Sequence, residues 1–437
     1  MNAVIVAIVV MLTFSLLRIH VVISLLLGAI VGGLSGGLSL PDTLNAFNQG
    51  VTGGASIALS YAMLGAFALA IAKAGVPHWL TEKVVTRLYT NANVSRLKWV
   101  LLLLLVFISV ASQNIIPIHI TFIPLLIPPL LYVMARIQLD RRAVACVMTF
   151  GLITPYMYFP MGFGDIFLKQ ILLGNIAKAG MDVSHVNVMH AMAIPALGMV
   201  IGLLWAVFIS YRQPRRYELG KIENAERTHA RYTTKSLVIA LLAIMLAFIV
   251  QIYLGSMVMG ALVGFLVFLA MGVVKWKEAD SVFTQGMNAM AMIGFIMITA
   301  QGFAEVLKAT GEIQSLVTTS AYWFAGSKSL AVLSMLGVGL LVTLGIGSSF
   351  STVPVLVALY VPLCMQLGFS PQATVAIIGT AGALGDAGSP ASDSTLGPTS
   401  GLNVDGQHDH IMGTVLPTFL HFNLPLFIAG WGAAMVL

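Results

Sequence analysis

Two carboxylates, Asp386 and Asp393, stand in the run Gly379-Thr380-Ala381-Gly382-Ala383-Leu384-Gly385-Asp386-Ala387-Gly388-Ser389-Pro390-Ala391-Ser392-Asp393-Ser394-Thr395. The run follows an apolar stretch, is broken by Gly and Pro, and holds no Lys or Arg to pair either acid. In a low-dielectric setting such a carboxylate binds a cation or takes up a proton. A group able to do either is what coupling to a cation gradient requires. The competing reading is a polar loop leaving an apolar helix. A second broken run, Thr154-Pro155-Tyr156-Met157-Tyr158-Phe159-Pro160-Met161-Gly162-Phe163-Gly164-Asp165, carries two prolines and two glycines. Proline removes a backbone donor, and the carbonyls so freed need other partners, ions among them.

Two further polar islands have the same character. Ser112-Gln113-Asn114 joins apolar stretches 98–111 and 116–134, and Gly347-Ser348-Ser349-Phe350-Ser351-Thr352 joins 329–346 and 353–365. Neither island is long enough to reach water and return, so each is read as the tip of a re-entrant hairpin. Hydroxyls and carbonyls at an unwound tip replace the water shell of a small cation such as Na+, and helix N-termini nearby receive an anionic group. The Na+ candidates are Ser112, Asn114, Ser348, Thr352 and Asp386. The alternative is that Ser, Gln and Asn satisfy one another in a helix bend.

Histidines add less. His119 is either a proton relay or a core histidine bonded to a carbonyl. His408, Asp409 and His410 are adjacent on a loop and cannot wrap one metal ion without a distant ligand, so a gate or surface role is expected. His190 and His421 are read as interfacial.

What must position these groups follows from composition. The chain has 437 residues, 58% apolar and 9% charged, with a mean hydropathy of +0.95. Soluble domains carry about 25% charged residues, and disorder needs the opposite composition. A polytopic membrane protein remains. The other spanning candidates are 3–17, 20–36, 56–73, 143–160, 187–211, 236–254, 256–274, 290–307, 372–384 and 411–437. None shows the alternation of a transmembrane barrel, so the fold class is all-α. Residues 1–17 lack a basic residue and a small-residue cleavage site, and are read as a retained first helix rather than a signal peptide. Cys146 and Cys364 lie in apolar stretches and do not suggest a disulfide.

The net charge of +6 is confined to short loops, which points to topology rather than to nucleic acid. Seven of the 22 Lys and Arg lie between Tyr211 and Lys235, which marks a cytoplasmic linker. It divides the chain into 1–211, the linker 212–235, and 236–437. The halves resemble each other: Phe47, Gln49, Gly50, Phe67, Ala68 and Gly75 recur as Phe283, Gln285, Gly286, Phe303, Ala304 and Gly311. Lys73–Lys98 carries five basic residues and its counterpart Lys308–Lys328 two. Matched loops of unequal charge indicate opposite sides of the membrane, hence an inverted repeat. The expected architecture is about ten transmembrane helices plus two opposed re-entrant hairpins, in the plasma (inner) membrane, with both chain ends outside.

The segment GDAGSPASDSTLGPTSGLN, Gly385–Asn403, resembles the GD-x-x-SP-x-SD-[ST]-T signature of the NhaC-type Na+/H+ antiporter family, part of the ion transporter superfamily of opposed hairpins and inverted repeats. GSSFSTVPVL (Gly347–Leu356) is similar to that family's hairpin. GQHDH (Gly406–His410) and PTFLHFNLP (Pro417–Pro425) resemble a YuiF-like amino-acid transporter branch. The chain departs from the family at Gly388, commonly Lys or Asn, and at Ser351, commonly Gly. The resemblance implies that Ser348, Ser349, Ser351, Thr352, Asp386, Ser389, Ser392 and Asp393 line one half-site, with Asp386 as the cation or proton carboxylate and Asp393 as its partner or a helix cap. The repeat then places Ser112, Gln113, Asn114 and Thr154 in the other half-site.

The function expected is cation-coupled secondary transport by alternating access, with Na+ or H+ as coupling ion and no cofactor. Neutral hydroxyls and amides suit a zwitterion and favour uptake of an amino acid, histidine-like or another small one. Na+/H+ exchange is the alternative. A membrane-embedded enzyme is more distant: Ala383-Leu384-Gly385-Asp386 lacks one glycine of a G-x-G-D motif, and neither H-E-x-x-H nor G-x-S-x-G occurs. The expected partners are a small-molecule or ion substrate and the lipid bilayer; a homodimer is compatible with the sequence.

Overall fold

The computed structural model describes all residues except 1, 18, 77–78, 80–93, 115–122, 124–126, 226–231, 255, 316–318, 320–326 and 348, and it omits some side chains inside helices, those of 112–114, 350 and 351 among them. His119 and Ser348 therefore lie outside the described residues, as do the side chains of Ser112, Gln113, Asn114 and Ser351.

Among the described residues the regular structure is helical and no strand occurs. In chain order the helices are α1 Ala3–Leu16, α2 Val21–Ser35, α3 Leu40–Lys73, α4 Val94–Asn114, α5 Pro128–Arg136, α6 Arg141–Tyr158, α7 Phe163–Lys178, α8 Val188–Ser210, α9 Leu219–Ala225, α10 Thr234–Leu254, α11 Met257–Ala270, α12 Ala279–Ala309, α13 Lys328–Ile346, α14 Ser349–Gln366, α15 Pro371–Ala383, α16 Asp393–Leu402 and α17 His410–Val436. Large apolar side chains point outward along them: Leu197, Ile201 and Trp205 on α8, and Leu241, Ile249 and Ile252 on α10, are each more than half exposed. Hydrocarbon is the solvent that removes the cost of such a surface. Four helices among the described residues are long and apolar enough to cross a bilayer, α8, α10, α13 and α17, and α6 with α7, bent by 53°, makes a fifth. Shorter apolar helices such as α1, α2 and α11 fall below the ~20 residues that ~30 Å of hydrocarbon demands. The protein is a multi-pass membrane protein.

Two helices begin well before their apolar stretches do. The stretch expected at 56–73 starts at Leu40, where the Ser39 hydroxyl caps the helix at the Asp42 N–H with proline in the first turn. The one expected at 290–307 starts at Ala279. Asn48, Gln49 and Thr52, and likewise Thr284 and Gln285, lower hydropathy without interrupting backbone hydrogen bonding, so hydropathy alone marks the boundaries too late.

The repeated segments pack on each other. A β-carbon at Gly50 would collide with the Gln301 carbonyl and with Gly302; one at Gly286 would collide with the Gly65 carbonyl and with Ala66. Gly286 lies 236 positions after Gly50 (286 − 50), and Gly302 the same distance after Ala66 (302 − 66). Each copy thus makes to the other the contact it receives, as an antiparallel pair about a pseudo-two-fold would. Gly50→Leu and Gly286→Leu are expected to destabilise to a similar degree, by at least ~1–3 kcal/mol, because the obstacle is backbone. Denaturation midpoints of the purified variants test this; a large loss in one and none in the other would refute the symmetric crossing.

The remaining elements frame the broken runs. Lys328 Nζ, at the start of α13, donates to the Gly368 carbonyl beyond α14 at 2.9 Å, so the two helices form a hairpin. Its tip is Gly347, in left-handed conformation at φ 70°. On the other side, Lys98 near the start of α4 donates to the Arg212 carbonyl at 3.3 Å. Arg215 N–H donates to the Gln138 carbonyl, just past α5, at 2.9 Å. The start of α4 and the residues just past α5 therefore rest on the segment that begins at Arg212.

Candidate functional site

Pro155 lies inside α6, which ends at Tyr158, two residues before the end of its expected apolar stretch: the chain breaks at Phe159 and resumes as α7 after Gly162, at φ 57°. The break leaves Tyr156 on the last turn of α6, 2% exposed, held edge-on by Phe167 at 4.9 Å and Phe163 at 6.0 Å. The second break separates α15 from α16. Gly385 (φ 87°) and Gly388 (φ 96°) occupy the left-handed region there, where a side chain would be strained.

Asp386 sits in that break, 7% exposed. Its Oδ2 accepts from the Tyr156 hydroxyl at 2.6 Å and from Ser349 Oγ at 3.3 Å; its Oδ1 accepts from Ser394 Oγ at 2.9 Å. Tyr156 and Ser349 are themselves 2.9 Å apart. The three donors come from the end of α6, from α14 just past the hairpin tip, and from the first turn of α16. No cationic side chain pairs with Asp386 among the described residues. Three hydroxyls and a carboxylate are hard oxygen groups, the chemistry that suits Na+ or a proton, since hydroxyls reorient between donating to the anion and presenting lone pairs to a cation.

The other expected residues are placed as follows. Ser389 Oγ donates to the Leu344 carbonyl at 3.3 Å, and Ser392 Oγ to the Asp386 carbonyl at 2.6 Å. Both hydroxyls thus tie down backbone. Asp393 is the first residue of α16, where an acidic group opposes the helix dipole. Thr352 is fully buried in the first turn of α14. Thr154 is buried, and its hydroxyl has no hydrogen-bond partner among the described residues.

Tyr156 and Ser394 were not among the residues expected from sequence. Both lie inside quoted motifs, so the signal was present, but nothing in the spacing says which hydroxyl faces the acid. Tyr156→Phe removes a donor to an anion, an interaction worth ~1.5–3 kcal/mol. Half-saturation by the cation that the carboxylate takes, Na+ or H+, is expected to shift by about ten- to a hundredfold, read from thermal stabilisation over a range of Na+ concentrations and of pH; an unchanged midpoint in both series would remove Tyr156 from the site.

Two histidine expectations are corrected. His408 is buried, 4% exposed, with Nε2 2.8 Å from Thr414 Oγ1, because the loop folds back over the start of α17. His421 is not at a helix end: it is buried within α17, between the Pro417 carbonyl and Ser210 Oγ, each at 2.7 Å. His190 is exposed near the start of α8 and pairs with Gln372 at 2.8 Å.

A second polar cluster lies at the linker end. Arg141, fully buried at the start of α6, donates two bonds of 2.6 Å to the Asp405 carboxylate and one of 2.9 Å to the Leu402 carbonyl. The Tyr217 hydroxyl accepts from Arg141 N–H at 2.9 Å, and Gln407 exchanges hydrogen bonds with the Glu218 backbone. The start of the linker is thereby docked on the loop that follows α16.

Residues 147–431 match a family model described as the Na+/H+ antiporter family, and residues 2–88 match one described as the Na+-H+ antiporter family. An uncharacterized membrane protein of Vibrio parahaemolyticus is 55% identical over the whole of both chains. YuiF of Bacillus subtilis, provisionally named an amino acid transporter, is 53% identical, again over the whole of both. Among solved structures, MtrF of Neisseria gonorrhoeae, described within a class of antimetabolite efflux pumps, aligns with a TM-score of 0.43 at 16% identity, covering 91% of this chain and 85% of that one.

Proposed function

Because the chain belongs to the Na+/H+ antiporter family and is a secondary transporter, we propose that it couples uptake of a small amino acid to Na+ or H+, with Asp386 as the carboxylate that carries the coupling cation. The observation that carries this reading is the convergence of three hydroxyls, from three separate helices, on one buried carboxylate that no side-chain cation pairs among the described residues. Such a site needs no side-chain cation because its occupant supplies the charge.

The architecture proposed around it is a pair of inverted repeats, 1–211 and 236–437, joined by the cytoplasmic linker 212–235. The reciprocal Gly50 and Gly286 contacts support the inversion. The start of α4 and the residues just past α5 lie against the linker. The open end of α13 and α14 lies instead near the C-terminus, where the Ser370 hydroxyl donates to the Leu437 carbonyl at 3.0 Å. On this reading both chain ends are outside and the two repeats rock about Asp386, exposing it alternately.

Amino-acid uptake is supported by the provisional name of YuiF, at 53% identity; Na+/H+ exchange is supported by the family description. Thermal denaturation of the purified protein against the twenty amino acids, with and without Na+, separates the two. Stabilisation by an amino acid is expected, since a ligand of the folded state raises its stability by mass action. A response to Na+ and pH alone would replace uptake with exchange.

A further inference from the structure

Between α15 and α16 the chain runs through nine residues, Leu384–Ser392, outside any helix, and between the two ends, where Leu384 N–H and the Ser392 carbonyl bond to the flanking helices, the peptide groups need other partners. Helix α17 takes up three of them. Asn423, 1% exposed, accepts from Gly385 N–H at 3.0 Å through Oδ1 and donates to the Ala387 carbonyl through Nδ2. His410 Nε2 meets the Pro390 carbonyl at 2.9 Å. Between these two points Gly388 backs onto Phe419 so closely that a β-carbon would collide with it. Gly385 and Ala387 are the neighbours of Asp386, and the carboxamide holds both at once. It does so from the end of a π-helical turn, Phe419–Asn423, whose wider coil turns the side chain away from its α-helical heading.

The geometry points to Asn423 as the positioning residue of the coupling carboxylate. By bridging the peptide groups on either side of Asp386, it sets the direction in which the carboxylate leaves the broken segment, toward Tyr156 and Ser349. Asn423 makes no hydrogen bond to the carboxylate itself, so its effect is on orientation, and the inference rests on the reading of Asp386 as the coupling group. An apolar residue here would leave a buried N–H and a buried carbonyl unpaired, each costly. The segment would then settle in other arrangements, most of them with Asp386 misaligned. The titratable groups around the site are Tyr156 on α6, Asp393 at the start of α16 and His410 on α17, and the test leaves all three in place.

Wild type, Asn423→Ser, Asn423→Asp and Asp386→Asn are compared in proteoliposomes, with radiolabelled Na+ flux and a lumenal pH dye read over a range of Na+ concentrations and of pH. Signals are normalised to folded protein measured by size exclusion. For whichever cation the wild type moves, Asn423→Ser is expected to shift half-saturation about tenfold, or about one pH unit, while the maximal rate changes less than twofold. Asn423→Asp keeps the acceptor for Gly385 but sets an oxygen against the Ala387 carbonyl, so it is expected to shift at least as far; being matched in shape, it carries the test where Asn423→Ser does not fold. Wild-type half-saturation in either folded variant overturns the positioning role, as does a loss of flux that disappears on normalisation to folded protein. Coupled flux surviving in Asp386→Asn would overturn the underlying reading instead.

Discussion

Asp386→Asn is expected to abolish cation-coupled flux, lowering it by about a hundredfold or more, while the protein still inserts and folds. Asparagine matches the carboxylate in shape: Tyr156 and Ser394 donate to opposite oxygens of Asp386 at 2.6 and 2.9 Å, so the amide oxygen accepts from one of them and the amide NH2 donates to the other hydroxyl. It cannot carry charge. A cation arriving at a neutral amide in a buried site has nothing to offset its desolvation, and the charge-assisted bonds that favour it are gone. The loss of ~3 kcal/mol in cation binding corresponds to the hundredfold. Counterflow and accumulation assays in proteoliposomes read the result. Accumulation against a gradient by Asp386→Asn would remove this carboxylate from the coupling mechanism altogether.

Arg141→Ala is expected to be the most destabilising single change outside the site, by ~3–5 kcal/mol. The Arg141 and Asp405 side chains are fully buried against each other, and removal of the guanidinium leaves a carboxylate held only by Gln407. Replacement of both, as Arg141→Met with Asp405→Leu, is expected to recover much of that loss, because a buried pair repays little more than its own desolvation. The pair also has a pH signature. Burial alone would raise the Asp405 carboxyl, but the Arg141 hydrogen bonds and charge outweigh it and hold the group below the usual carboxylate range. A group depressed on folding stabilises above its unfolded value of ~3.9 and loses that contribution as pH falls through the folded one. The wild type should therefore lose stability on acidification below about pH 4, and Arg141→Met/Asp405→Leu should lose less. Denaturation midpoints of the detergent-solubilised proteins between neutral pH and pH 3 measure both effects; equal acid sensitivity would mean that other carboxylates dominate.

Much of the chain was legible before any coordinates. Membrane class follows from the scarcity of charge, and the placement of the few Lys and Arg separates the halves. Asp386 stood out because an acid without a basic neighbour inside a Gly- and Pro-broken run has few explanations besides a cation or a proton. The expected start of α3 was late for a definite reason: hydropathy registers the solvent a helix prefers, whereas its N-terminus is set by the Ser39 cap and Pro41. His408 was read as a gate or surface residue because it sits in a polar loop. A loop that folds onto Arg141 and the linker buries it, and composition does not carry that information.

The sequence by itself determined that this is a helical membrane protein with one conspicuous acid, because hydrophobic content and the isolation of a carboxylate from basic neighbours are properties of the linear order. Only the tertiary structure decided which groups that acid meets. In helices, spacing predicts faces; in a broken segment held by left-handed Gly385 and Gly388 it predicts nothing. The nearby Ser389 and Ser392 accordingly bond to backbone. Meanwhile Tyr156, 230 residues away in the chain, and Asn423, on the far side of the segment, decide where the carboxylate points.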